Sequence, residues 1–137
     1  MKLDHTCVRD VLLCLESESN VITNADGEIE FVGTWLNDIC KKNPQYPQEN
    51  IFYTLSKLEE GGYIDMTVQW AGGELSECCV NFITFAGHEF IEKIRQDSIW
   101  KKTLKIAGEV GIFSLKTLAK ISESVAGAVV AQILSNN

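Results

Sequence analysis

The chain has 137 residues, 45% of them hydrophobic, and a formal net charge of −7. That length suits one domain with an appended element, and that apolar share allows a core without disulfide or metal staples. The acidic balance argues against a simple polyanion binder. The five cysteines (Cys7, Cys14, Cys40, Cys78, Cys79) argue against a disulfide scaffold, being odd in number and lacking a CxxC pair.

No apolar run near Met1 reads as a secretory signal, so free thiols in a reducing cytoplasm are expected. Residues 4–16, DHTCVRDVLLCLE, predict a first helix. Asp4 is its N-cap, and Cys7, Val8, Val11, Leu12 and Leu15 lie on one face. A polar, turn-rich connection follows, with a short strand expected at Glu28–Phe31. Gly33–Lys42 predicts a second helix with Trp35, Leu36, Ile39 and Cys40 inward, stopped at Asn43-Pro44. Pro47–Glu60 predicts the clearest helix, with Pro47 at its start and Ile51, Phe52, Leu55 and Leu58 buried. Gly61-Gly62 ends it.

Alternation in YIDMTVQW (63–70) predicts a half-buried strand with Ile64, Met66, Val68 and Trp70 inward. AGGELSE reads as a turn and CCVNFITF (78–85) as the returning strand. A helix is expected from Thr84 or Ala86-Gly87 to about Asp97. Further helix is expected over 98–112, interrupted near Gly108 and Gly111, and again over Ser114–Leu134. Three helices followed by a two-stranded wing predict an α+β, mostly helical fold. It reads as a winged helix-turn-helix-like domain over residues 1–97, with a C-terminal helical extension over 98–137.

Charge divides at the same place. Residues 1–97 hold 7 basic and 17 acidic side chains (−10), and residues 98–137 hold 5 basic and 2 acidic (+3). The body is acidic and the extension mildly basic.

The segments MKLDHTCVRDVLLCLE, NIFYTLSKLEEGGYID and ITFAGHEFIEKIRQDSIWKKTLKIAGEVGIFSLKTLAKI resemble the DUF2513 family, small proteins of bacteria and their phages. The resemblance covers nearly the whole chain. It implies a winged-helix-like domain in the bacterial cytoplasm, of host or prophage origin, and it carries over no catalytic residue.

GHE at 87–89 lacks the second histidine of a zinc-binding HExxH helix. It reads instead as structural: Thr84 caps a helix, Gly87 permits close packing, and Glu89 suits the first turn. On the third helix Gln48, Asn50, Tyr53, Thr54 and Lys57 are expected outward. With the adjacent pair Lys41-Lys42, they are the candidate contacts to DNA or a partner. Against DNA stand Glu49, Glu59 and Glu60 on that helix and a wing with no basic residue. Leu115, Leu118, Ile121, Val125, Val129 and Ile133 recur at helical spacing and predict a dimerisation stripe, hence a homodimer, with cover for the chain's own core or a membrane-surface helix as the alternatives. A membrane span is not expected, since the apolar run Val125–Leu134 is short and contains Gln132. No catalytic, cofactor or metal constellation is visible. The function expected is a non-enzymatic binding module, transcription-regulator-like or a protein-interaction adaptor. The alternative is an acidic anti-host or anti-defence phage protein that imitates nucleic acid.

Overall fold

The computed structural model describes residues 1–136, in six helices and small antiparallel sheets. The chain divides into two compact units, Met1–His88 and residues 89 onward. The division falls inside the fourth helix, earlier than the boundary expected at Asp97.

In the first unit, α1 (His5–Glu18) starts where the Asp4 carboxylate accepts from the amides of Thr6 and Cys7. Its buried face is Cys7, Val8, Val11, Leu12 and Leu15, as the periodicity requires. Next comes a hairpin, β1 (Asn20–Thr23) against β2 (Ile29–Val32), in the register Asn20↔Val32 to Thr23↔Ile29. Only the β2 half was expected. Asn24 closes the turn by accepting from the amides of Asp26 and Glu28, and Gly27 takes φ 80°.

Thr34 and Trp35 form a short strand, β3, so α2 covers only Leu36–Lys42 and not the whole of Gly33–Lys42. Pairing decides this. Thr34 sits opposite Val80 and Trp35 opposite Cys79, and a side chain at Gly33 would lie 2.5 Å from the Val80 carbonyl. Trp35, expected inward, is half exposed, and Cys40 is only half-buried.

Helix α3 (Gln48–Glu60) buries Ile51, Thr54, Leu55 and Leu58. Thr54 takes the inward place expected for Phe52 because its hydroxyl donates to Cys7 Sγ at 3.4 Å, in contact with α1. β4 (Ile64–Ala71) and β5 (Glu74–Ile83) form an antiparallel hairpin, and the sheet order is β3-β5-β4. Glu74–Glu77, read as turn, belong to β5. The turn itself is Gly72-Gly73, both at positive φ, as a two-residue hairpin loop demands. Trp70, expected on the buried face, is 60% exposed, because the hairpin outgrows the core.

The second unit contains the later residues of α4 (Phe85–Ile94), then α5 (Asp97–Val110) and α6 (Leu115–Ser135). α4 stops at Ile94, short of Asp97. Gly108 lies within α5 without interrupting it, and Gly111, at φ 83°, ends it. Ser114 caps α6. The core holds Phe90, Ile91, Ile94, Trp100, Ala107, Leu118 and Val125. In its midst Thr103 and Ser122, both fully buried, share a hydrogen bond of 3.0 Å across the α5–α6 pair. Lys93 and Glu123 add a partly exposed ion pair at 2.7 Å.

Candidate functional site

The contact helix expected from the sequence, α3, is only partly available. Gln48 is exposed, while Asn50, Tyr53 and Lys57 are half-buried. Thr54 must be removed from the candidates: it is buried and its hydroxyl is committed to Cys7. The Lys57 ammonium lies 3.0 Å from the Glu60 carboxylate and 5.6 Å from the Tyr53 ring centre. Lys42 is ion-paired with Glu18. Both lysines are held above their ordinary pKa, chiefly by the hydrogen bond to that carboxylate. Lys41 is exposed at the end of α2. On α3 and the β4–β5 hairpin the carboxylates Glu49, Glu59, Glu60, Asp65, Glu74 and Glu77 are exposed, as are the rings of Trp35 on β3 and Trp70 on β4. Trp70 meets Phe52 edge-on at 6.0 Å. No signal in the sequence separated these two tryptophans from core residues, since both fall on the apolar phase of their elements.

The segment around GHE is a joint. Thr84 Oγ1 donates to the Gly62 carbonyl at 2.6 Å and accepts from the Gly87 amide at 3.1 Å. The Thr84 amide donates to the Tyr63 carbonyl. This ties the start of α4 to the glycine turn after α3. Glu89 lies beyond the first turn, so it does not act on the helix N-terminus as expected.

His88, however, opens onto a cleft. About 180 Å³ of space lies beneath the β1–β2 hairpin, lined by Glu16, Ser19, Asn20, Val21, Phe31, Asn81, Phe82, Ile83 and His88. Asn81 is the extra residue of a bulge, since Asp65 pairs with Phe82 and Met66 with Val80. Its amide donates to Asp65 and Thr67 at 2.9 Å each. No sequence signal predicted this cleft, because it depends on a hairpin that periodicity did not show.

Among the described residues no three His, Cys, Asp or Glu side chains come together as a metal site. The five thiols are free. Burial pushes the Cys78 thiol up to about 11, helped by neighbouring Cys79, Glu59 and Cys40; its Sγ lies 3.6 Å from Met66 Sδ. Burial also raises Cys7, Cys14, Cys40 and Cys79. These are poor nucleophiles at neutral pH. A folded-state value above the unfolded one contributes stability at low pH that is lost as pH rises. Unfolding is therefore expected to become easier between pH 9 and 11, by about 2 kcal/mol for Cys78 alone. Urea melts across that range check it, and Cys78→Ala should flatten the slope.

Of the expected dimerisation stripe, Leu118 and Val125 are buried within their own unit. Leu115 and Ile121 are half-buried, and Val129 and Ile133 are exposed with Val130 and Leu134. The apolar run judged too short for a membrane is part of a continuous helix of 21 residues, and α6 reaches a mean hydropathy of 1.3 over its most apolar stretch. By length and composition α6 is able to cross a bilayer, so the exclusion on length does not hold. Only 17% of that stretch is buried.

A relative from Haemophilus influenzae, described as an uncharacterized protein, is 30% identical over 108 residues, covering 77% of this chain and 80% of its own length. No solved structure matches at a comparable standard. The family model described as "Hypothetical protein (DUF2513)" matches residues 2–113, which include every element from α1 to α5 and stop just before the cap of α6. With that match over most of its length, the chain belongs to the DUF2513 family.

Proposed function

We propose that the chain is a non-enzymatic binding module built on a winged helix, whose acidic surface takes a basic segment of a protein partner in preference to DNA. Supporting the winged-helix reading is the order α1, β3, α2, α3, β4, β5, with the β1–β2 hairpin inserted after α1 and the strand before α2 pairing to the far strand of the wing. The observation that carries the preference is the fate of the lysines. In α2 and α3, Lys42 and Lys57 are already ion-paired with Glu18 and Glu60. DNA affinity needs lysines and arginines that release phosphate counterions. The face they leave is acidic and carries aromatic rings, which suits a cationic partner.

A DNA-binding protein is one such partner, and imitation of nucleic acid is then the same chemistry directed at it. The module acts in the cytoplasm of a bacterium, in a host or prophage role, as a homodimer held by the exposed end of α6. Lys116, Lys120 and Glu123 lie in the first half of α6, and that half packs on α5 through Leu118, Ser122 and Val125. Both facts favour self-association over a membrane span.

Anisotropy with a labelled random duplex at low salt is the test. No uptake is expected, and Glu60→Gln, which releases Lys57, should raise duplex affinity by no more than about fivefold. Strong, salt-dependent duplex binding by the native chain would overturn the reading and restore a DNA regulator.

A further inference from the structure

The β1–β2 hairpin forms a separate two-stranded sheet in the first unit. All eight ladder residues are exposed, and five are apolar: Val21, Ile22, Ile29, Phe31 and Val32. A two-stranded ladder of this size is marginal alone, and it joins no other sheet. Strand β1 contains no charge and no proline, the usual guards of an edge.

Register fixes which groups face outward. The Asn24 amide donates to the Glu28 carbonyl at 2.8 Å, which continues the ladder by one pair. Hydrogen-bonded pairs alternate in antiparallel ladders. Asn20 and Ile22 therefore bond toward β2, and the N–H and C=O groups of Val21 and Thr23 point away from it.

Beneath the same strand lies the cleft that His88 lines. Its apolar wall is a ring pair, Phe31 and Phe82, with centres 4.8 Å apart, and Phe31 is 60% exposed. Glu16 contributes a carboxylate, and no lysine or arginine lines the space. Residues 1–88 hold 5 basic and 14 acidic side chains, a charge of −9. The volume, about 180 Å³, suits one long side chain.

We infer that the β1 edge and this cleft are one docking site for an extended, basic segment of a partner protein. The segment's backbone pairs with the outward groups of Val21 and Thr23, and an arginine enters the cleft, its guanidinium over Phe31 and toward Glu16. Backbone pairing supplies affinity and the cleft supplies specificity. Arginine fits better than lysine because its planar group stacks on a ring while donating to a carboxylate. The inference rests on the proposed reading that the partner is basic, but it locates that partner on the hairpin, away from the exposed face of α3.

The test uses the full chain and a labelled peptide alternating arginine with threonine, beside the same peptide with citrulline for arginine. Citrulline keeps the shape and loses the charge. Anisotropy at low salt should show binding of the arginine peptide and at least a tenfold loss with citrulline. Phe31→Ala should weaken binding about fivefold. Thr23→Pro should weaken it as well, since it deletes an N–H that the ladder does not use. Ile112→Ala, at an exposed residue of the second unit, should leave it unchanged. Thermal melts of both hairpin variants guard against misfolding. Peptide binding that ignores Phe31→Ala and Thr23→Pro overturns the inference while leaving the basic-partner reading intact. Failure of the arginine peptide to bind overturns it too. If the duplex is taken up in its place, the basic-partner reading falls with it.

Discussion

Gly87→Ala is expected to lower the stability of the chain by about 3 kcal/mol or more, at the upper end of overpacking costs. A methyl at this position would lie 2.1 Å from the Tyr63 carbonyl oxygen and 2.7 Å from Ile83 Cγ2. The first of these is backbone, held by the Thr84 amide, so it has little freedom to retreat. The joint cannot open without releasing Thr84 from Gly62 as well. In a domain of this size the melting temperature should fall by roughly 10 °C. Gly108→Ala is the matched control. There the added methyl meets only Phe113, at 4.0 Å, inside a regular helix. That substitution should stabilise by about 0.5–1 kcal/mol, from helix propensity. The two alanines are predicted to act with opposite signs. Thermal melts by circular dichroism decide it, and a Gly87→Ala melt equal to that of the parent would remove the joint from the account.

The same joint shows what local sequence can reveal. A Thr three residues before a Gly, between a strand pattern and an apolar helical pattern, marks a cap and a close approach. Both are present at Thr84 and Gly87. The helices were legible for the same reason, since burial at three- and four-residue spacing follows from one covered face, as in α1. Errors came where long-range pairing overrides local pattern. Trp35 sits on the apolar phase of a helix that the β5 ladder turns into a strand. Trp70 sits on the apolar phase of a strand that extends past anything able to cover it. Thr54 looks like a surface residue until Cys7 is placed opposite it.

The candidate site was less legible than the fold. Its α3 half could be named from position, but the pairing of Lys57 with Glu60 and of Lys42 with Glu18 decides its charge. The second of these links residues 24 apart in sequence. The cleft was invisible because its wall comes from four separate stretches: the end of α1, the hairpin, the bulged end of β5 and the first turn of α4. Asn81 is moved off the alternating pattern by the bulge, so no period of two would have placed it there.

Ending the chain after Ala128 is expected to convert a dimer to a monomer without unfolding the second unit. α6 has 21 residues against 14 in α5, and a short turn makes the two antiparallel. The Thr103–Ser122 bond sets their register, which brings Asp97, the first residue of α5, level with Ala128. Residues from Val129 on run past the end of α5. The stripe that packs on α5 as Leu118, Ser122 and Val125 continues at the same spacing into Val129 and Ile133, now uncovered. No charge follows Glu123, so nothing opposes a second copy of the same surface. Deleting all of α6 would be a poorer test, because it would also strip the cover from Trp100 and Ala107. Ile133→Glu asks the same question with one side chain. Two charges per dimer in place of two buried isoleucines should cost about 3 kcal/mol, roughly a hundredfold in the dimer dissociation constant. Light scattering measures both variants. A dimer that survives the cut would place the interface elsewhere. A parent that is monomeric in solution but floats with anionic vesicles, and loses that ability with the cut, would give the exposed end of α6 to a membrane.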